Sequence, residues 1–278
     1  MFFKNKIGFI QGRLSPIIDN KIQIFPSLHW KDEYKKSKKI GLNLLEWTLD
    51  EETFDSNPLL TKVGREEIKK YNEDYDISIP SLTCDYAMQN PFWKLEGEVS
   101  NKIIYNFLKI IESCEILGVN IIVVPLVDNG SIKSLKQEEF LIKFFSKISQ
   151  ILIDSNILIA FESDYNPYEL QRFINNFDKN IGINFDMGNS ASNGYDPTTE
   201  ILALGARIIN VHVKDRLLNG TTVPLNEGNC DFIKVFKSLK EINYKNNYIL
   251  QTARAIDQNH EKVLNDYVNM TLEWLENA

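Results

Sequence analysis

The sequence predicts a closed α/β barrel, a (β/α)8 TIM barrel of parallel strands each followed by a helix, with residues 1–278 forming one domain. Three observations carry that expectation. Short runs rich in Ile, Val, Leu and Phe alternate with longer stretches of helical periodicity along the whole chain. Eight such pairs within 278 residues suit a barrel of roughly 250 residues. No Pro-, Gly- or Ser-rich linker and no block of like charge divides the chain. An open, doubly wound sheet is the alternative. It would usually place a Gly-rich phosphate loop after its first strand, and neither G-x-G-x-x-G nor G-x-x-x-x-G-K stands there.

In chain order, the first strand is read over Ile7 to Leu14, ending in Gln11, Gly12 and Arg13. A Lys-rich helix follows from Trp30 to Ile40, with Gly41 placed to stop it. Strand two, Leu42 to Leu49, carries Glu46, and a charged helix runs from Leu59 to Tyr75. Strand three, Ile77 to Tyr86, has Asp85 near its end, and the aromatic loop Met88 to Trp93 is expected to fold over a pocket as a lid. The helix Val99 to Leu117 stops at Gly118. Strand four is Val119 to Val127, with Pro125 near its end, where a missing backbone donor does least harm.

A helix from Ser134 to Asp154 leads to strand five, Ile157 to Glu162, and a shorter helix from Pro167 to Phe177. Strand six, Ile181 to Asp186, opens into the loop DMGNSASNGYD, and Pro197 to Leu204 is helical. Strand seven, Ile208 to Val213, contains His212 and releases Lys214, Asp215 and Arg216. After the polar loop VPLNEGNCDF come a helix from about Asp231 to Ile242, strand eight from Tyr248 to Ala253, and a closing helix from Glu261 to Leu275.

Hydrophobic residues make up 43% of the chain and charged residues 25%, the balance of a soluble globular protein with a large core. A net charge of −7 offers no general attraction to nucleic acid, which requires clustered Lys and Arg. Cys84, Cys114 and Cys230 lack C-x-x-C spacing and are too few for a disulfide framework, so a reducing cytoplasm is expected. The sequence begins without a signal-peptide pattern and has no apolar run near the roughly 18 residues of a membrane span.

Barrel active sites are assembled from loops at the C-terminal ends of the strands. Glu162, Asp186, His212 and Gln251 end four successive strands, so the barrel would bring them together. Two carboxylates, an imidazole and a carboxamide oxygen suit a divalent ion such as Mn, Mg, Co or Zn. Taken singly, each residue suits a helix cap, an ion pair or a buried hydrogen bond equally well. Only their joint placement points to metal.

Several stretches carry a resemblance to the xylose isomerase-like superfamily of sugar isomerases and epimerases, which also includes endonuclease IV. IGFIQGRL, LLEWTLD, IAFESD, INFDMGN and INVHVKDR resemble its strands one, two, five, six and seven, and VPLNEGNCDF resembles a loop that usually reads V-P-L-G-x-G-x-x-D-F. In that family Glu, Asp, His and Glu at the ends of strands five to eight hold a divalent ion. The resemblance therefore implies Glu162, Asp186 and His212 as ligands, with Gln251 in place of the fourth carboxylate. Gln251 can ligate through oxygen but cannot take a proton. The endonuclease branch uses several histidines, whereas this chain has three, of which His29 and His260 lie away from the strand ends.

The resemblance implies proton removal beside a ketone or aldehyde, with metal stabilising an enediolate. Glu162 is the matching base. Lys214, on the same side of its strand as His212 by the period of two, is the candidate for a second proton-transfer group. Arg13, Glu46, Asp85, Asn189, Arg216 and Arg254 are the candidate substrate-binding residues, the arginines suiting an acidic group on the substrate. Phe92, Trp93 and Trp47 could stack on a sugar or belong to the core. The expected partner is a sugar or sugar phosphate, without nucleic acid or membrane, and the family makes a homo-oligomer plausible. The alternatives are a one-base lyase or dehydratase and a non-catalytic sugar-binding barrel.

Overall fold

The computed structural model describes residues 4–278. Eight parallel strands close into a barrel in sequential order, each hydrogen-bonded to the strands before and after it in the chain. They are β1 (Ile7–Ile10), β2 (Leu45–Leu49), β3 (Ser81–Cys84), β4 (Ile121–Leu126), β5 (Leu158–Ser163), β6 (Ile181–Asp186), β7 (Ile208–Val213) and β8 (Tyr248–Leu250). The main helix after each strand is α1 (Trp30–Ile40), α2 (Lys62–Tyr75), α3 (Gly97–Leu117), α4 (Leu135–Asp154), α5 (Pro167–Ile174), α6 (Pro197–Leu204), α7 (Phe232–Glu241) and α8 (His260–Asn277). The ring closes where β1 meets β8, Ile7 opposite Tyr248 and Phe9 opposite Leu250.

The apolar residues fill two regions. Alternate side chains of the strands point outward and join the inward stripe of the helices in one large core. Inside the barrel, Ile121, Val123 and Ala160, with Leu158 and Ile209 against them, form a small plug at the N-terminal ends of β4, β5 and β7. Above that plug the interior turns polar, and the buried Glu46, Glu162, Asp186 and His212 sit there.

Several elements are shorter than the hydrophobic runs suggested. β1 ends at Ile10 because the chain turns through Gly12 at φ 90°, a left-handed conformation that favours glycine. β3 ends at Cys84, and Asp85–Gln89 is a short helix. The stretch Met88 to Trp93, expected as a lid, divides: Met88 and Gln89 line the cavity at the C-terminal ends of the strands, whereas Phe92 and Trp93 are buried, and Phe92 packs on Phe107 and Phe144 under α3 and α4. The Trp93 indole N–H donates to the Gly130 carbonyl at 3.2 Å. Trp47 likewise lies in the core, against Phe25 and Trp30. The periodicity of apolar residues was correct, and their environment is helix packing, not a ligand.

Candidate active site

The period of two along a strand selects which side chains enter the barrel. On β6 it turns Asn184 and Asp186 inward, and on β7 Asn210 and His212. The register puts Asp186 directly opposite His212, and Glu162 opposite Pro125. A register shift between Ile183 and Asn184 brings Asn184 opposite Asn210. Glu162, Asp186 and His212 are all buried and offer ligand atoms within 4.8 Å of one another.

His212 is gripped from two sides. Its Nε2 lies 2.7 Å from Glu46 Oε1, and its Nδ1 lies 3.3 Å from Glu162 Oε2 and 3.9 Å from Asp186 Oδ2. Burial opposes the imidazolium, but the Glu46 and Glu162 carboxylates outweigh it and raise His212 to about 10. Glu46 itself is fully buried and accepts from Ser81 Oγ, Thr83 Oγ1 and Asn210 Nδ2 as well. Its carboxyl is held below the ordinary range: burial pushes it up, and His212, Ser81 and Thr83 more than compensate.

Glu162 accepts from Asn184 Nδ2 at 2.8 Å and from Asn189 Nδ2 at 2.6 Å. Burial works to raise it, while His212, Lys214 and Asn184 hold it below the usual carboxylate range, so it stands ionised. Asp186 Oδ1 accepts the Asn189 backbone N–H at 2.7 Å, which caps the short helix Met187–Ser192. Its other oxygen accepts from Lys214 Nζ at 3.2 Å, and the same ammonium donates to Gln251 Oε1 at 3.0 Å. Two of the four expected ligands are thus joined by a lysine.

The donor set fits a divalent ion through three residues. With the Nε2 proton directed at Glu46, Nδ1 faces the carboxylates of Glu162 and Asp186, the carboxylate-held imidazole of a metal site. Three protein donors with positions left for substrate oxygens is the catalytic arrangement. The fourth oxygen, Gln251 Oε1, is engaged by Lys214.

A cavity of about 710 Å³ opens over these groups at the C-terminal ends of the strands, with Glu162, Lys214, Gln251, Asp85, Asn189 and Arg216 in its wall. Its volume suits a small polar molecule. Asp85 is pushed up to about 7, first by burial and then by the neighbouring charges of Glu162 and Asp50. Arg216 donates to Asn189 Oδ1 at 2.7 Å, linking the cavity wall to the residue that orients Glu162.

Three expected substrate contacts lie elsewhere. Glu46 is beneath the cavity, its carboxylate consumed by four donors that include His212. Arg13 and Arg254 stand behind the wall at the β1/β8 seam, where Arg13 Nη1 donates to the Ile22 carbonyl at 3.1 Å and Arg254 Nη2 to the Ser15 carbonyl. A guanidinium three or four residues past a strand end can turn outward as easily as inward, and here both do.

Sequence reasoning overlooked Asn184, Asn210, Ser81 and Thr83, which fix the orientations of Glu162, Glu46 and His212. A signal was present: Asn184 and Asn210 each precede a ligand by two positions and therefore share its face. Asp215 is also explained. Its carboxylate accepts the backbone N–H groups of Asn226, Gly228 and Cys230, pinning the loop Val223 to Phe232. At Gly228 a Cβ would meet Asp215 Oδ1 at 2.2 Å, and Asn226 occupies φ 73°, a left-handed conformation that favours glycine.

The profile of the xylose isomerase-like TIM barrel matches residues 34–277. The chain belongs to that family. Its similarity to the uncharacterized protein MJ1311 of Methanocaldococcus jannaschii is 32% identity over 143 residues, spanning 46% of this chain and about half, 48%, of that protein. A Haemophilus influenzae protein provisionally named L-ribulose-5-phosphate 3-epimerase SgbU is 24% identical over 269 residues, covering 89% of this chain and 88% of that one. Among solved structures, the IolI protein with a bound zinc atom superposes with a TM-score of 0.74 at 19% identity, covering 98% of each chain. Among the described residues of this xylose isomerase-like barrel, no helix is long and apolar enough to cross a membrane.

Proposed function

We propose that this protein is a divalent-metal-dependent isomerase or epimerase of a sugar or sugar phosphate that works through an enediolate. The observation that carries the reading is the convergence of Glu162, Asp186 and His212 under a polar cavity whose wall includes Lys214 and Gln251. The name of the Haemophilus relative and the zinc bound by the IolI protein support the same class.

Glu162, Asp186 and His212 would hold the ion, with Gln251 oxygen as a fourth donor once Lys214 turns away. Bound there, a divalent ion polarises the substrate carbonyl and stabilises negative charge on its oxygen. The remaining work belongs to the chain. Glu162, ionised and aimed by Asn184 and Asn189, removes the proton from the carbon beside the carbonyl. The family's second carboxylate is absent, because Gln251 cannot exchange a proton. Lys214, which lies against Gln251 and lines the cavity, supplies the proton on return. Asp85, Asn189 and Arg216 bind substrate oxygens, and Arg216 fixes Asn189 against Glu162.

The test is proton exchange in heavy water across a panel of ketoses and ketose phosphates, after metal analysis of the purified protein. Wild type is expected to carry about one divalent ion per chain and to incorporate deuterium at one carbon with product mass otherwise unchanged. Glu162→Gln should lose the exchange. Exchange retained in that variant removes Glu162 as base, and a product lighter by one water replaces isomerisation with dehydration.

A further inference from the structure

We propose that the seam where the barrel closes, between the ends of β1 and β8, holds a buried monovalent anion of halide size. A cavity of about 10 Å³ there is lined by Arg13, Thr252, Arg254 and His260 together with apolar residues of α8. Room of that size admits one particle about as large as a water molecule. Each of these four polar residues carries buried atoms without a hydrogen-bond partner: Arg13 Nε, Thr252 Oγ1, Arg254 Nε and both ring nitrogens of His260. Arg13, Thr252 and His260 are each at least nine-tenths buried, at 4%, 0% and 7% exposure.

The partners these atoms need define the occupant. Of the five atoms, two guanidinium N–H groups, a hydroxyl and one imidazole N–H are four donors, and only the second ring nitrogen of His260 is an acceptor, so donors predominate and buried donors are rarely left unmet. A water molecule has lone pairs for two of them, whereas a halide can accept from all four.

The charge balance points the same way. Two guanidinium groups share the seam, close enough that each burial and the Arg254 charge lower Arg13 to about 9. The Glu33 carboxylate, which accepts the backbone N–H groups of Gly12 and Leu14, acts on both guanidinium groups and Asp85 acts on Arg13, but neither carboxylate hydrogen-bonds to either arginine, so the N–H groups at the seam stay unpartnered. His260 is lowered to about 4, by burial first and then by Arg254, Lys36 and Arg13, so it is neutral and adds no charge of its own. An anion would neutralise the surplus and tie Arg13, after the first strand, to Thr252 and Arg254, after the last. It would therefore act as a clasp on the closing pair of strands, one residue from Gln251. The site is separate from the sugar-sized cavity, whose wall includes neither arginine.

The experiment uses the intact wild-type protein. Crystals soaked in sodium bromide should show an anomalous peak between Arg13, Thr252 and Arg254. In solution, chloride or bromide should give a saturable rise in Tm of at least about 2 °C over sodium gluconate at equal ionic strength. Thr252→Val, nearly isosteric, should weaken the response, and Arg254→Gln should abolish it. No bromide peak at the seam, equal responses to bromide and gluconate, or a Thr252→Val response identical to wild type would each overturn the proposal. Because these readouts involve neither sugar nor metal, they stand or fall independently of the catalytic reading.

Discussion

Replacing Lys214 by Met separates metal binding from turnover. The Lys214 ammonium is 3.2 Å from Asp186 Oδ2 and 3.0 Å from Gln251 Oε1, two oxygens that a divalent ion would also use. A unit positive charge roughly 5 Å from a double one is repelled by about 1.7 kcal/mol at the dielectric constant of water, and by several times that at an effective value of 20. The lower figure is the appropriate one, because the lysine has a long stem and can swing into the cavity. Loss of the ammonium is therefore expected to tighten divalent metal binding by at least about tenfold. It should also remove the group that returns the proton, so deuterium exchange should fall by roughly 10²-fold or more. Chelator competition with zinc or manganese measures the first effect without reference to activity. Metal affinity that is unchanged or weaker in Lys214→Met would refute the competition drawn from these distances.

His212 is raised to about 10, so below that pH metal must displace the Nδ1 proton; titration calorimetry in buffers of different ionisation enthalpy should show about one proton released per ion at pH 7.5, with affinity falling as the pH drops. Phe92→Ala should cost about 3–5 kcal/mol in urea unfolding while leaving substrate KM near wild type, because the ring packs on Phe107 and Phe144 and not on the cavity. Burial, opposed by Ser190 and reinforced by the Asp186 charge, raises the Glu200 carboxyl from 4.5 to about 7. A raised folded value means that its stabilisation is complete below pH 4.5 and is lost as the pH climbs through 7. Glu200→Gln should therefore gain on the order of 3 kcal/mol over wild type at pH 8 and nothing at pH 4.5, and parallel stability profiles for the two proteins would contradict this.

The barrel was legible because its signals are local and repeated. Trp30–Ile40, Ile181–Asp186, Pro197–Leu204 and Ile208–Val213 have the boundaries read from the sequence, since Gly41, Pro197 and the β-branched runs punctuate them directly. Ends without such markers moved inward: Leu45–Leu49 starts later than its run because Leu42 and Leu44 are buried ahead of it, and Tyr248–Leu250 stops short of Ala253, at the buried polar pair Gln251 and Thr252. The aromatic stretch around Phe92 was misread for a related reason. Composition reports that a ring must be buried without saying against what.

The same division holds in the site. The sequence by itself determined the barrel and the three strand-end residues Glu162, Asp186 and His212, because the period of two and the position at a strand's end follow from the backbone alone. Only the tertiary structure decided that Glu46 serves His212 and not a substrate, that Lys214 bridges Asp186 and Gln251, and that Arg13 and Arg254 turn to the seam behind the cavity. Long side chains reach several ångströms from the backbone that carries them. Where their charged ends settle depends on partners from strands far away in sequence, and those partners meet only when the barrel closes.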